Sequence, residues 1–187
     1  MGKPLLAELR EHTRTDHDRL EEMTLGARIM DGTLTAAEYR RIIDWQRRAH
    51  KKLEPLARQL CLGAYAYRSR FELPAATRQL VPHSVGTAPP VVEPPLSVAV
   101  GTAYVLEGAS LGGSVIYRKL LANPRLEEEA PFTFYRQQSE WGLAQWRQFV
   151  AALTSWNPSE GERIATVASA QRAFRTFAET WQASAAD

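Results

Sequence analysis

Apolar residues recur along this chain at steps of three and four, the spacing of one helix face rather than the alternation of a strand. Between Pro4 and Met23, the positions Leu6, Leu9, Thr13, Leu20 and Met23 fall on one side, and Pro4 suits the first turn of a helix. Thr35-Ala36-Ala37-Glu38 reads as a capping box opening a second helix. Its stripe is Ile42, Trp45, Ala49, Leu53, Leu56 and Leu60, and Pro55 predicts a kink or break near 51–54. A shorter helix is expected over 69–80. From Val81 to Pro95 the chain carries five of its eleven prolines, which predicts a long surface loop. Helical spacing resumes at Leu96 and runs to Leu121, punctuated by Gly101, Gly108, Gly112 and Gly113. Pro131 opens a further helix with Phe134, Trp141, Trp146, Phe149 and Leu153. Asn157-Pro158-Ser159 starts the last, with Ile164, Val167, Phe174, Phe177 and Trp181 on its apolar side. No internal repeat interrupts this order. The pattern predicts an all-α fold, a single domain over 1–187, and a disordered tail at 183–187.

Composition narrows the function classes. The 187 residues are 44% hydrophobic and 24% charged, as expected for one globular domain with a substantial core. The net charge of +2 gives no strong field for nucleic acid or a membrane surface. A lone cysteine, Cys61, excludes an internal disulfide and any cysteine-based metal cluster, and is expected to behave as a small, at least partly buried hydrophobe. The tryptophans Trp45, Trp141, Trp146, Trp156 and Trp181 are expected in the core. No apolar run reaches the roughly 18 residues of a membrane span. Met1-Gly2-Lys3-Pro4 is not followed by a signal-peptide core, so a cytoplasmic protein is expected, and nothing calls for more than a monomer.

Common catalytic signatures are missing: there is no phosphate loop, no HExxH and no GxSxG nucleophile turn, since the Gly108-Ala109-Ser110-Leu111-Gly112 spelling has no strand before it. Gly108-Ala109-Ser110-Leu111-Gly112-Gly113 instead falls inside a predicted helix, where each glycine costs about 1 kcal/mol relative to alanine. At 100° per residue Gly101, Gly108 and Gly112 share a face, with Tyr104 at its edge. A face without side chains admits another helix or a flat ligand, and spacing alone leaves both open. Four histidines, His12, His17, His50 and His83, form no zinc-like cluster. His83 lies in the proline-rich loop, and His50 in the basic run Arg48-Ala49-His50-Lys51-Lys52, which reads as solvated. On the first helix Arg10, Arg14, His17 and Glu21 make one polar strip, with His12 on the other flank near Glu8. A single histidine suffices to hold a haem iron, and arginine suits the two haem propionates. The same strip also fits a solvated helix face.

Two segments bear on that choice. Leu9-Arg10-Glu11-His12-Thr13-Arg14-Thr15-Asp16-His17-Asp18-Arg19-Leu20-Glu21 resembles the first helix of the haem oxygenase family, above all its bacterial members. Tyr104-Val105-Leu106-Glu107-Gly108-Ala109-Ser110-Leu111-Gly112-Gly113 is similar to the family's glycine-rich distal helix. Pro131-Phe132-Thr133-Phe134-Tyr135 with Trp146 and Phe149, then Ala173-Phe174, Phe177 and Trp181, resemble its later helices, so the likeness spans nearly the whole chain. It implies haem held between the first helix and a kinked distal helix. His17 would be the iron ligand, with Arg10, Arg14 and Tyr104 toward the propionates, and Gly108 and Gly112 against the distal face. Ala109 departs from the family, which carries serine or aspartate there at the distal water network. That task would then pass to backbone groups such as those at Gly108 and Gly112, to Ser110, or to other side chains. Glu21 has no assigned role, and Arg136 and Arg147 are the remaining propionate candidates. The implied reaction is oxidative cleavage of haem to biliverdin, carbon monoxide and ferrous iron, with electrons from a ferredoxin, a flavodoxin or a reductase. The basic residues Arg10, Arg14, Arg47, Arg48, Lys51 and Lys52 would suit an acidic donor, or serve only solubility. The rival readings are a haem-sequestering or haem-sensing protein of the same fold, and a helical interaction domain whose glycines only pack.

Overall fold

A computed structural model describes residues 3–71 and 94–184. Among the described residues the chain forms seven α-helices with one short hairpin, the all-α class that its apolar spacing predicts. Helix α1 (Leu5–Met23) buries Leu5, Leu9 and Thr13. Pro4 stands just outside it as the cap, its carbonyl accepting from Ala7 and Glu8. A short α2 (Gly26–Met30), with no periodic signal long enough to predict it, leads to α3 (Ala36–Ala57). There the predicted capping box is complete: the Thr35 hydroxyl accepts from the Glu38 amide, and the Glu38 carboxylate accepts from Thr35.

Pro55 neither breaks nor ends α3 where expected. The helix passes through it to Ala57. The N–H that proline lacks would have met the Lys51 carbonyl, and Lys51 is exposed, so water can serve that carbonyl instead. Ala57 takes the buried place next to Leu53, leaving Leu56 37% exposed. His50 corrects the solvated reading of its basic run: it is 2% exposed, ringed edge-on by Phe71, Phe134 and Phe177. Its neighbours Lys51 and Lys52 are exposed, so charge density along the sequence did not report which way this one residue faces.

After α3 comes an unpredicted hairpin, β1 (Cys61–Leu62) against β2 (Tyr65–Ala66), turning at Gly63 with φ +57°. Cys61 is exposed there, not buried. Of the helix expected over 69–80, residues 69–71 are not helical and the rest lies outside the described residues, as does the predicted loop up to residue 93. Of the predicted disordered tail, Ala183 is still helical, Ser184 is a turn, and 185–187 lie outside the described residues.

The predicted helix from Leu96 to Leu121 exists in three pieces: α4 (Leu96–Ala109), a 3₁₀ turn over Ser110–Gly112, and α5 (Gly113–Leu121). A second 3₁₀ stretch, Pro124–Glu129, precedes α6 (Thr133–Ser155). Pro131 does not open α6. It lies two residues ahead, followed by Phe132 at φ 52°, whose ring is 2% exposed and packs edge-on against Tyr39. Ser159 caps α7 (Glu160–Ala183) with a second capping box. On α7 Ile164 is 63% exposed and does not join the core, which uses Ala170, Ala173, Phe174, Phe177 and Trp181. Helix α4 is buried almost all round and lies along α7, which also packs on α1 and α3. This arrangement brings α1, α3, α4 and α7 around one space.

Candidate functional site

That space is a cavity of about 430 Å³, within the size range of small-molecule sites. From α1 come Arg10, His17, Leu20 and Glu21; from α4 and its 3₁₀ extension come Tyr104, Val105, Gly108, Ala109, Leu111 and Gly112. Ile42, Trp45 and Gln46 of α3, Tyr135 and Trp146 of α6, and Phe174 and Phe177 of α7 complete much of the wall. The sequence places these residues more than a hundred positions apart. Packing brings them together.

His17 is a half-exposed side chain, its ring edge-on to Phe174 at 6.0 Å. Its Nε2 lies 3.8 Å from Glu21 Oε1 and its Nδ1 3.7 Å from Asp18 Oδ1, distances too long for hydrogen bonds. Among the described residues both nitrogens are therefore free of hydrogen bonds, and each has a carboxylate close enough to orient it once a ligand takes the other. One turn-pair earlier on the same helix, Arg10 reaches the same cavity and is exposed. Tyr104 is 9% exposed and its ring tilts against Trp146 at 6.0 Å.

The glycines divide. A Cβ on Gly108 would have Trp146 at 3.9 Å as its nearest neighbour, and one on Gly112 would have Ile116 at 3.6 Å. Both are ordinary contacts, so among the described residues no neighbouring helix demands glycine at these two positions. Gly101 is different. A Cβ there would stand 2.2 Å from the Thr166 carbonyl and 2.8 Å from the Ser169 Cβ, so Gly101 serves helix packing. The small-residue stripe of the sequence thus holds both readings of its glycines, at different ends of α4.

Several predicted residues are not brought to the cavity. Arg14 points away with an 83% exposed side chain, 3.9 Å from Asp18. Arg136 and Arg147 are exposed and do not line it. Ser110 is 2% exposed and faces elsewhere: its hydroxyl donates to the Leu106 carbonyl and accepts from Arg70. Of the tryptophans, Trp45 and Trp181 are core as expected, while Trp45 also lines the cavity and half-buried Trp146 does so too. Gln46 and Tyr135 line the cavity without a site role in the sequence reading. The only signal for Gln46 is a polar residue next to the apolar stripe of α3, and Tyr135 enters only as part of the segment that resembles a later family helix.

Behind α4, away from the cavity, lies a buried ionic network that sequence reasoning missed. Arg70 Nη2 is 2.5 Å from Glu107 Oε2, with side chains 1% and 0% exposed. The Tyr65 hydroxyl donates to the other Glu107 oxygen at 2.5 Å. Burial, then the Glu107 charge, pushes the Tyr65 hydroxyl far above the ordinary phenol range. Glu54 of α3 accepts from the Arg70 amide at 2.7 Å, from Ser69 at 2.5 Å and from Tyr67 at 3.2 Å. Nearby, burial holds the His50 imidazole down to about 4 against the opposing pull of Glu54, so it is neutral at pH 7. Its Nδ1 stands 2.8 Å from the Gln46 carbonyl, where it donates.

The cavity wall suits a flat, largely apolar group that carries a metal and an anionic edge. It offers the His17 imidazole, the Arg10 guanidinium, the phenols of Tyr104 and Tyr135, aromatic sides, and backbone bare of Cβ atoms at Gly108 and Gly112. A family model described as Heme oxygenase matches residues 3–183. No curated protein and no solved structure gave a match. With the match covering all but the two ends, and with the fold and cavity agreeing with it, the chain belongs to the haem oxygenase family.

Proposed function

We propose that this chain, acting as one domain over 1–187, cleaves haem to biliverdin, carbon monoxide and ferrous iron. Oxygen is consumed, and electrons come from a ferredoxin-, flavodoxin- or reductase-type donor. The observation that carries this reading is the meeting of His17, Arg10 and Tyr104 with the open backbone of Gly108 and Gly112 in one cavity. Haem is both substrate and cofactor here, and its iron supplies the oxygen chemistry.

The residues of the chain bind, orient and exclude. His17 holds the iron through one ring nitrogen, and Glu21 or Asp18 takes the hydrogen of the other, which orients the ring and raises its basicity. A neutral imidazole pushes less electron density than a thiolate. Arg10 pairs with a propionate, two parallel N–H donors matching two carboxylate oxygens, and the Tyr104 hydroxyl adds a third donor. Together they set the in-plane rotation of the macrocycle, and so which meso carbon is presented. Gly108 and Gly112 let backbone lie flat against the ring where a side chain would hold it off. Trp146, Phe174 and Phe177 restrict bulk water. Arg10 and Arg14, with Arg47, Lys51 and Lys52 also exposed, offer an acidic electron donor a basic surface. In a reducing cytoplasm the exposed Cys61 stays a thiol.

A second reading, haem sequestration or sensing without turnover, is favoured by one feature. Ala109 lines the cavity without a hydroxyl, and the Ser110 hydroxyl is committed to Leu106 and Arg70. Titration with hemin, followed by reductant in air with catalase present, separates the two. The oxygenase reading expects a saturable Soret band that decays as a broad red biliverdin absorbance grows, and loss of the band's ligand-dependent features in His17→Ala. A Soret band that survives repeated reduction makes the protein a haem binder. No band at all overturns both.

A further inference from the structure

Glycine brings little helical preference of its own, so a backbone surface built on Gly108 and Gly112 needs an outside hold to keep one shape. The residues around the α-to-3₁₀ step are held on the side away from the cavity. Glu107 immediately precedes Gly108, and Ser110 opens the 3₁₀ turn. One side chain grips both. The Arg70 guanidinium reaches Glu107 Oε2 at 2.5 Å and the Ser110 hydroxyl at 3.2 and 3.4 Å, while a further nitrogen bonds the Arg68 carbonyl. Arg70 is itself anchored, its amide bonded to Glu54 of α3 at 2.7 Å. Below Ser110, Gly142 of α6 leaves room for the turn: a Cβ there would come within 2.8 Å of the Ser110 carbonyl.

We infer that Arg70 is a positioning residue for the distal surface: by bracketing Gly108 and Ala109 through Glu107 and Ser110, it holds the glycine turn in the shape that meets the haem. The inference rests on the haem oxygenase reading for its consequence, though not for the clamp itself. A fully buried ion pair is a poor device for stability alone, because desolvating both charges offsets most of their attraction and an apolar pair of similar volume would serve the fold as well. What a forked guanidinium adds is geometry. It satisfies two acceptors three residues apart on one helix in only one arrangement.

Amide hydrogen exchange on the haem-free chain tests the clamp, and the acid–alkaline optical transition of the ferric haem complex tests its consequence. Arg70→Lys keeps the charge beside Glu107 but cannot grip Ser110 as well. It is expected to speed exchange of the amides of residues 108–113 about tenfold, while those of α7 are unchanged. It is also expected to move the optical midpoint by about half a pH unit. Ser110→Ala, which removes one acceptor and no charge, should shift both readouts in the same direction by less. Exchange that rises equally in α7, or does not rise at all, overturns the inference, as does an optical midpoint that stays put while the turn loosens. Should Arg70→Lys fail to fold, Ser110→Ala decides by the same two criteria. Should the parent protein take up no haem, the oxygenase reading falls, and with it the claimed consequence, while the exchange data still judge the clamp.

Discussion

The two ends of helix α4 carry the same residue for opposite reasons. At its first half Gly101 is pressed against α7, with the Thr166 carbonyl 2.2 Å from where a Cβ would be. At its last turn and just beyond, Gly108 and Gly112 meet nothing that would forbid a methyl group. One glycine is required by protein, the other two are left bare toward a cavity. A glycine that is costly in a helix and unneeded for packing is evidence of a ligand, whereas the same residue at a helix crossing is evidence of nothing more than close approach. The contrast also separates a dry region from a wet one: His50 is held neutral in the packed interior, while His17 stands half exposed at the cavity.

Gly101→Ala should strike hardest. The clash is with backbone, so α4 and α7 must separate, and urea unfolding should show a loss of about 3 kcal/mol. A loss under about 1 kcal/mol would mean the two helices are not locked as described. Gly108→Ala should move in the other direction in the haem-free chain, gaining up to about 1 kcal/mol in the same unfolding assay. Its hemin titration should nevertheless weaken by about tenfold, near 1.4 kcal/mol. A stability loss there would erase the contrast with Gly101. The dry region has its own test. An imidazole held at about 4 in the fold binds fewer protons than in the unfolded chain, whose value is near 6.5. Stability is therefore fully present above pH 6.5 and is lost as the pH falls toward 4, by up to about 1.4 kcal/mol per pH unit from this group. His50→Leu should flatten that part of a denaturation-versus-pH curve. Smallest is the difference between two arginines of α1: Arg10→Ala should raise the hemin Kd by about threefold, and Arg14→Ala should leave it unchanged. Equal effects would mean that Arg14 swings into the site.

Much of this was legible along the chain. The capping box lies where Thr35 puts it and α7 starts where Asn157-Pro158-Ser159 predicts, because a helix start is a matter of residues three positions apart. The failures share a cause. Pro55 predicts a kink or a break, yet α3 runs unbroken through it, since one missing hydrogen bond facing water is tolerated in the last turn. Leu56 and Ile164 fit a helical stripe and are exposed, since the stripe's centre depends on which helix packs against it. Arg14, one turn from Arg10, looked equally suited to a propionate until packing directed only one of them to the cavity.

The sequence by itself determined the long helices and their order and, through two motifs resembling the haem oxygenase family, pointed to a kinked glycine-rich helix, because each depends on neighbours within a few residues. Only the tertiary structure decided which glycines are bare, that Ser110 faces Arg70 and not the cavity, and that His50 is buried and neutral. Those outcomes depend on burial and on partners as distant as Arg70 and Glu107, and no local spacing encodes either.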